Sequence, residues 1–319
     1  MGAAPSCDGA TVEAAVKTNR AFVFIKPHAS KDSVEAVVKD KFAATGIRIL
    51  AQGVLGGAEI DAKQLIDKHY YAIASKATIL TPDQLVVPED KFEEKFGVSW
   101  KDALASGKAA NAMQACEKLD MTPDELQTVW KGVCGAGGMI KFGGGFYCGK
   151  IEKGGVELFV FNPFFMAMRS KFTAPEATIR WFDVEFDVDK LSWADFRGTV
   201  LGPTDPAKAP DGSLRKAILD GWEALGLAAT PDNTDNGVHA SASPFEALAE
   251  RANWLAADVE ADSYGKALLA CGVSKETITA WAVDPRVPLG GKEGSIFDAL
   301  EDLNANDCLF KAVHYAQCA

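Results

Sequence analysis

Ala21-Phe22-Val23-Phe24-Ile25-Lys26-Pro27 is the stretch that sets the fold class. Five consecutive apolar residues of strand length suit a central strand buried on both faces, and Pro27 ends it. Beyond it, Ser30 is placed to cap a helix whose apolar positions Val34, Val37, Val38 and Phe42 recur at helical spacing, and Gly46 is placed to stop it. Ile47 to Leu55 reads as a second strand. Ala62, Leu65, Ile66 and His69 form a second helical stripe, so the chain opens β-α-β-α.

The pattern then changes. Helical pieces are expected at Lys101 to Leu119 and Pro123 to Lys131, followed by the glycines Gly143 to Gly145. Phe146 to Glu152 and Val156 to Phe161 then read as a hairpin turning on Lys153-Gly154-Gly155. Residues 77–161 therefore read as an inserted subdomain. The clustered glycines lack the Lys-Ser/Thr of a phosphate-cradling loop and read as a turn. Ile179 to Phe186 alternates as a half-buried strand does, with Phe182, Val184 and Phe186 on one side, and Asp189 or Ser192 starts the next helix. Leu201 to Gly212 is a loop. Ser243-Pro244-Phe245-Glu246 is the strongest helix start, with Ser at the N-cap, Pro at N1 and Glu at N3 ahead of the stripe Phe245, Leu248, Ala252, Leu255. Residues 1–18 read as a flexible leader. Residues 257–319 read as a C-terminal extension of one or two helices with a turn-rich stretch from Pro285 to Gly294.

Composition narrows the function classes. Of 319 residues, 48% are hydrophobic and 24% charged, which are globular values, and no run reaches the roughly 18 to 20 apolar residues of a membrane span. A transmembrane segment is not expected. The net charge of −11 disfavours nucleic acid as a partner, whereas a small phosphorylated ligand needs only a few local cations. The seven cysteines are odd in number and never spaced Cys-x-x-Cys, as suits reduced thiols in a cytoplasmic protein. The four histidines lie far apart without i, i+4 pairing, so structural zinc is not expected. The amino terminus lacks the apolar core of a secretory signal. Met1-Gly2-Ala3-Ala4-Pro5-Ser6-Cys7 fits the acceptor pattern for myristate on Gly2, with Cys7 available for a second acyl chain; a plain disordered leader is the equal alternative. One myristoyl chain binds membranes only marginally, so acyl-mediated membrane contact calls for both.

Four features carry chemistry. Asn236-Gly237-Val238-His239-Ala240-Ser241 puts a histidine just ahead of the capped helix, where Glu250 lies on the side of Glu246, away from the apolar stripe. A carboxylate reaching back would orient the imidazole and leave one ring nitrogen as a nucleophile. Lys26 follows the central strand directly and is positioned to neutralise phosphate oxygens. Leu201-Gly202-Pro203-Thr204-Asp205-Pro206, leading through Gly212 to Arg215, offers a hydroxyl and a guanidinium for a phosphate chain. His69-Tyr70 closes a helix. Taken singly, the last three read more simply as structural residues.

In this order the set resembles the nucleoside diphosphate kinase family. The resemblance is carried by Phe24-Ile25-Lys26-Pro27, His69-Tyr70, Pro163-Phe164-Phe165, Leu201-Gly202-x-Thr204-x-Pro206, Gly212-x-x-Arg215, Asn236-x-x-His239-x-Ser241, Glu250 and Trp254. It implies an α+β, ferredoxin-like (βαββαβ) core over residues 19–76 and 162–256. It also implies a ping-pong reaction in which His239 takes the γ-phosphoryl group of a nucleoside triphosphate and passes it to a nucleoside diphosphate. On that basis Lys26, Tyr70, Arg197 and Arg215 surround the phosphates, Thr204 and Mg²⁺ hold them, Asn236 contacts the sugar and Phe164 stacks on the base. Mg²⁺ is held by the nucleotide phosphates rather than by protein ligands. Glu250 fixes the imidazole tautomer and Ser241 supports Glu250. The family suggests a homo-oligomer, and the insertions at 77–161 and Leu219 to Thr230 bear on the cleft and on oligomer contacts.

Departures from the family pattern are specific. His-Gly-Ser-Asp reads His239-Ala240-Ser241-Ala242, the Arg ahead of Pro163 is Asn162, and the phosphate-binding Arg upstream of Leu201 aligns with Gly198, with Arg197 adjacent. Arg169 and Lys171 are candidate replacements. Lys26-Pro27-His28-Ala29 resembles the family's cilium-associated branch, so a membrane-tethered or flagellar location stands beside a cytoplasmic one. Two alternatives to an active kinase follow: a catalytically weak kinase-like scaffold on a membrane or ciliary assembly, and phosphohistidine transfer to protein substrates.

Overall fold

The computed structural model describes residues 16–318; the proposed acylation sites Gly2 and Cys7 lie outside the described residues. The chain combines helices and sheets as two compact units: the residues up to Glu59 together with those from Pro175 onward, and Ile60–Ala174.

In the first unit Thr18–Ile25 (β1), Arg48–Gly56 (β2), Thr178–Asp187 (β3) and Val238–Ala240 (β4) pair antiparallel in the order β2-β3-β1-β4. All five residues of Ala21–Ile25 are fully buried, as the unbroken apolar run requires of a strand covered on both faces. On one face Ala21, Val23 and Ile25 pack with Phe182, Val184 and Phe186, with Val34, Val38 and Phe42 of the helix Asp32–Ala44 (α1), and with Leu214 and Ile218 of Leu214–Asp220 (α2). On the other face Phe22 and Phe24 meet Trp254 of Pro244–Leu255 (α3) at 6.4 and 5.4 Å between ring centroids. Each such fully buried ring contributes about 1.5–3 kcal/mol.

The helix starts are local events. Ser243 Oγ accepts the Glu246 N–H at 3.1 Å, the N-cap expected of Ser-Pro-Phe-Glu. Ser192 likewise caps the turn that follows β3. Ser30 does not cap α1: its hydroxyl bonds Thr178 Oγ1 on β3 at 2.8 Å, and α1 begins at Asp32 without a side-chain cap. Residues after Ala257 form four helices, Ser263–Ala270 (α4), Lys275–Trp281 (α5), Ile296–Leu300 (α6) and Ala305–Cys318 (α7), and a short hairpin of Arg286–Pro288 with Glu293–Ser295. The sequence indicated one or two because helices of five to eight residues complete barely two turns and show no stripe. Side-chain caps from Asp262, Ser274 and Ser295 start the first three. Among the described residues no helix is long and apolar enough to cross a membrane.

The second unit carries a four-stranded sheet of Ala109–Asn111, Val156–Phe161, Phe146–Lys153 and Met139–Gly143, in that order. The hairpin forms as the sequence indicated, turning at Gly154 and Gly155, and Gly143 to Gly145 join Met139–Gly143 to its first strand, Phe146–Lys153. The helical piece expected at Lys101 to Leu119 is instead Trp100–Ala105 and Ala112–Lys118 with the strand Ala109–Asn111 between them. Gly107, at φ +68°, turns the chain after the first helix, and Asn111 Oδ1 caps the second through the Gln114 N–H at 2.9 Å.

Candidate functional site

His239 is the middle residue of β4, directly opposite Phe24 of β1. Its neighbours Val238 and Ala240 point into the core, so the period of two turns the imidazole to the opposite face, the one covered by α3. There it stacks on Phe24 with ring centroids 4.6 Å apart. Glu250, two turns into α3, reaches back to it: Nε2 lies 2.6 Å from Glu250 Oε1. Glu250 is 4% exposed and its other oxygen, Oε2, accepts from Ser241 Oγ, which in turn accepts the Phe22 N–H at 3.0 Å. The triad expected from the sequence is thus assembled, and every link has a partner on β1, β4 or α3.

The proton assignment follows from these partners. An ionised carboxylate only accepts, so Nε2 carries the proton it donates to Glu250 and Nδ1 holds the ring's lone pair. Burial, together with the positive charges of Lys26, Arg215 and Arg197, holds the His239 pKa well below the usual histidine value. The imidazole is therefore neutral at physiological pH, as a nucleophile requires. Three cations around one partly buried neutral base suit an incoming polyanion.

The remaining candidates in this unit sit on the loops around β4. Lys26 Nζ donates to Thr234 C=O at 3.0 Å. Arg215, near the start of α2, donates from Nη1 to Gly202 C=O at 2.8 Å and from Nη2 to Val238 C=O at 3.0 Å, tying the Gly202 turn to the histidine strand. Gly202 is at φ +92°, and a Cβ there would stand 2.9 Å from Ala209 Cβ, so the turn needs glycine. Thr204 is exposed, and its carbonyl accepts from Asn236 Nδ2 at 3.0 Å. Asn236 is 2% exposed, and its Oδ1 is buried with no hydrogen-bond partner. Arg197 lies in the π-helical segment Phe196–Leu201, and its Nη1 is held by Glu301 Oε1 at 2.6 Å and Asp302 Oδ1 at 2.7 Å. Those two carboxylates belong to the C-terminal segment, and nothing in their spacing announced the pairing.

Tyr70 and Phe164 lie in the second unit. Tyr70 ends the helix Leu65–His69 and packs edge-on against His69 at 4.5 Å; Phe164 precedes the helix Phe165–Thr173 and meets Tyr147 edge-on at 5.6 Å. Asn162 explains its own departure from the family pattern. It is fully buried at φ +48°, donates from Nδ2 to Ile73 C=O (2.9 Å) and Gly145 C=O (2.7 Å), and accepts the Tyr147 N–H (2.9 Å). An arginine has no acceptor for that N–H and tolerates the left-handed backbone less well. Arg169 is a structural residue: its Nε bonds buried Asp67 at 2.9 Å and its Nη2 bonds Asp61 at 2.6 Å.

No family model matches the chain, and no curated protein does. Among solved structures it is similar to a nucleoside diphosphate kinase from Encephalitozoon cuniculi, 14% identical, covering 75% of this chain and 90% of that one with a TM-score of 0.36. It is also similar to an NDP kinase from Pyrobaculum aerophilum (16%, 74% and 95%, 0.35) and to the nucleoside-diphosphate kinase of Borrelia burgdorferi with bound vanadate and ADP (15%, 75% and 87%, 0.34). At these TM-scores the likeness carries no argument about the site, and function rests on the residues of this chain.

Proposed function

We propose that this protein is a nucleoside diphosphate kinase whose nucleophile is His239. One observation carries the reading: a partly buried neutral imidazole, oriented through Nε2 by Glu250 and Ser241, lies in the field of Lys26, Arg215 and Arg197. The antiparallel order β2-β3-β1-β4 supports a ferredoxin-like core for the unit that holds it.

In the first half-reaction Nδ1 attacks the γ-phosphorus of a nucleoside triphosphate. An N–P bond forms, the P–O bond to the β-phosphate breaks, and the nucleoside diphosphate leaves with that electron pair. The proton on Nε2 stays shared with Glu250, whose charge stabilises the cationic ring as the bond forms. In the second half-reaction a terminal phosphate oxygen of a different diphosphate attacks the same phosphorus and the N–P bond breaks. Lys26 and Arg215 stabilise charge on the transferring group, and Mg²⁺ arrives with the nucleotide as part of the substrate. Asn236 Oδ1, buried without a partner, accepts from a sugar hydroxyl. For Thr204 as a phosphate ligand, and for Tyr70 and Phe164 as phosphate donor and base platform, the support is the sequence resemblance alone.

Incubation with γ-labelled ATP tests the proposal. The expected result is an acid-labile, alkali-stable label that GDP discharges and that His239→Ala abolishes; wild-type protein that takes up no label refutes it. A second reading, a catalytically weak kinase-like scaffold, is favoured by the engagement of Arg197 with Glu301 and Asp302, which lowers the cation supply to a phosphate chain.

A further inference from the structure

Pro27–Ala29 form a single 3₁₀ turn at the end of β1. From this turn and the residue before it, one residue of a distant loop is held through both its N–H and its C=O. Lys26 N–H donates to Gly237 C=O at 2.9 Å, and Gly237 N–H donates to His28 Nε2 at 3.1 Å. The Lys26 ammonium adds a third bond to the same loop, at Thr234 C=O. Gly237 is confined from the other side as well. It sits at φ +88°, and a Cβ there would stand 2.7 Å from Ile218 Cδ1, so the residue has little room to find other partners.

The imidazole of His28 accepts this bond only with a lone pair on Nε2, which places its proton on Nδ1. Asp235 Oδ1, 3.7 Å from Nδ1, favours that tautomer. The residue adjoining the clasped glycine is Asn236, whose Nδ2 is spent on Thr204 C=O while its buried Oδ1 lacks a partner. A buried acceptor left open beside a rigidly held residue is the group a ligand hydroxyl satisfies. His239 does not depend on the clasp in the same way, because its strand pairing with Phe24 and its bond to Glu250 fix it separately.

We infer that His28 is a positioning residue that fixes Gly237 and so presents Asn236 to the sugar of a nucleotide. The inference rests on the nucleotide reading of this site. It assigns His28 to binding and Glu250 to the phosphoryl-transfer step, and the two assignments separate experimentally.

The test compares wild type, His28→Ala and His28→Gln in three measurements: calorimetric affinity for MgADP, the maximal single-turnover rate of label transfer to His239, and hydrogen exchange of the Gly237 amide. Glutamine retains an acceptor that can take the Gly237 N–H. His28→Ala is expected to weaken MgADP binding by about threefold to tenfold, the loss of one hydrogen bond, and to speed Gly237 exchange. The maximal rate should stay within about twofold of wild type, and His28→Gln should recover most of both losses. Unchanged affinity in His28→Ala overturns the inference even if Gly237 exchange speeds up. So does an affinity loss that glutamine leaves unrepaired, or one matched by an equal fall in maximal rate. Wild type that binds MgADP without being labelled refutes the kinase reading while leaving His28 to be judged on affinity; wild type that binds no nucleotide refutes both.

Discussion

In the proposed reaction the bond from His239 Nε2 to Glu250 Oε1 decides which ring nitrogen reacts, and burial with three nearby cations decides over what pH range it reacts. A histidine whose folded pKa lies below its unfolded value of about 6.5 binds fewer protons folded than unfolded in the window between the two. Its contribution to stability is therefore complete above the unfolded pKa and is lost as pH falls below it. The same window governs chemistry. The rate of His239 labelling should stay level from pH 8 through 6.5 and fall only at markedly lower pH, measured in single turnovers at saturating ATP. An inflection at about 6.5 would mean that the ring titrates as a solvated histidine and that burial and the cations do not act on it as described.

Elements reach this geometry through two alternations. In β1 the odd positions Ala21, Val23 and Ile25 fill the core and the even positions Phe22 and Phe24 build the opposite face; in β4 Val238 and Ala240 do the first task and His239 the second. α3 covers the second face and is anchored by Arg251, which is fully buried and bonds Asp262 from Nε at 2.9 Å and Arg20 C=O from Nη1 at 3.1 Å. Arg20 bonds both Asp183 and Asp262. Arg251→Ala leaves buried Asp262 with Arg20 as its remaining charged partner and should cost about 3–5 kcal/mol of stability, read from denaturant midpoints. A loss under about 1 kcal/mol would show that α3 does not depend on the network. The alternating strands, the Ser243 cap and the link from His239 to Glu250 were legible because each is a short-range pattern with one physical solution. The Arg251 network and the clasp from His28 to Gly237 were not, since they join residues 11 to 242 positions apart whose identities fit an ordinary surface equally well. Three of the C-terminal helices, α4 to α6, escaped for the opposite reason: each is too brief to show a period.

On the scale of the whole chain, a net charge of −11 repels a nucleotide at long range, so the proposed binding depends on local cations. The C-terminal segment bears on these directly. Asn304 Oδ1 accepts from Asn19 Nδ2 at 2.9 Å and from Trp193 N–H at 2.8 Å, Asn19 Oδ1 accepts the Ala305 N–H, and α4 to α7 share an apolar cluster with Phe245 and Leu248 of α3. From that footing Glu301 and Asp302 hold Arg197, so Arg197 reaches a phosphate only by exchanging these partners. Replacing both carboxylates, Glu301→Gln with Asp302→Asn, should tighten MgADP binding by roughly twofold to fivefold, as expected for removing half-exposed competing ion pairs worth under about 1 kcal/mol each. Weaker binding by the double variant in calorimetry would show that the carboxylates position Arg197 for the phosphate instead of competing with it.

The position of the phosphoryl group on the ring tests the central claim most directly. Phosphorus NMR of the alkaline-denatured phosphoprotein distinguishes the two phosphohistidine isomers. Phosphate on Nδ1 of His239 is the predicted result, because Nε2 is committed to Glu250. Phosphate on Nε2, or on any residue other than His239, would contradict it.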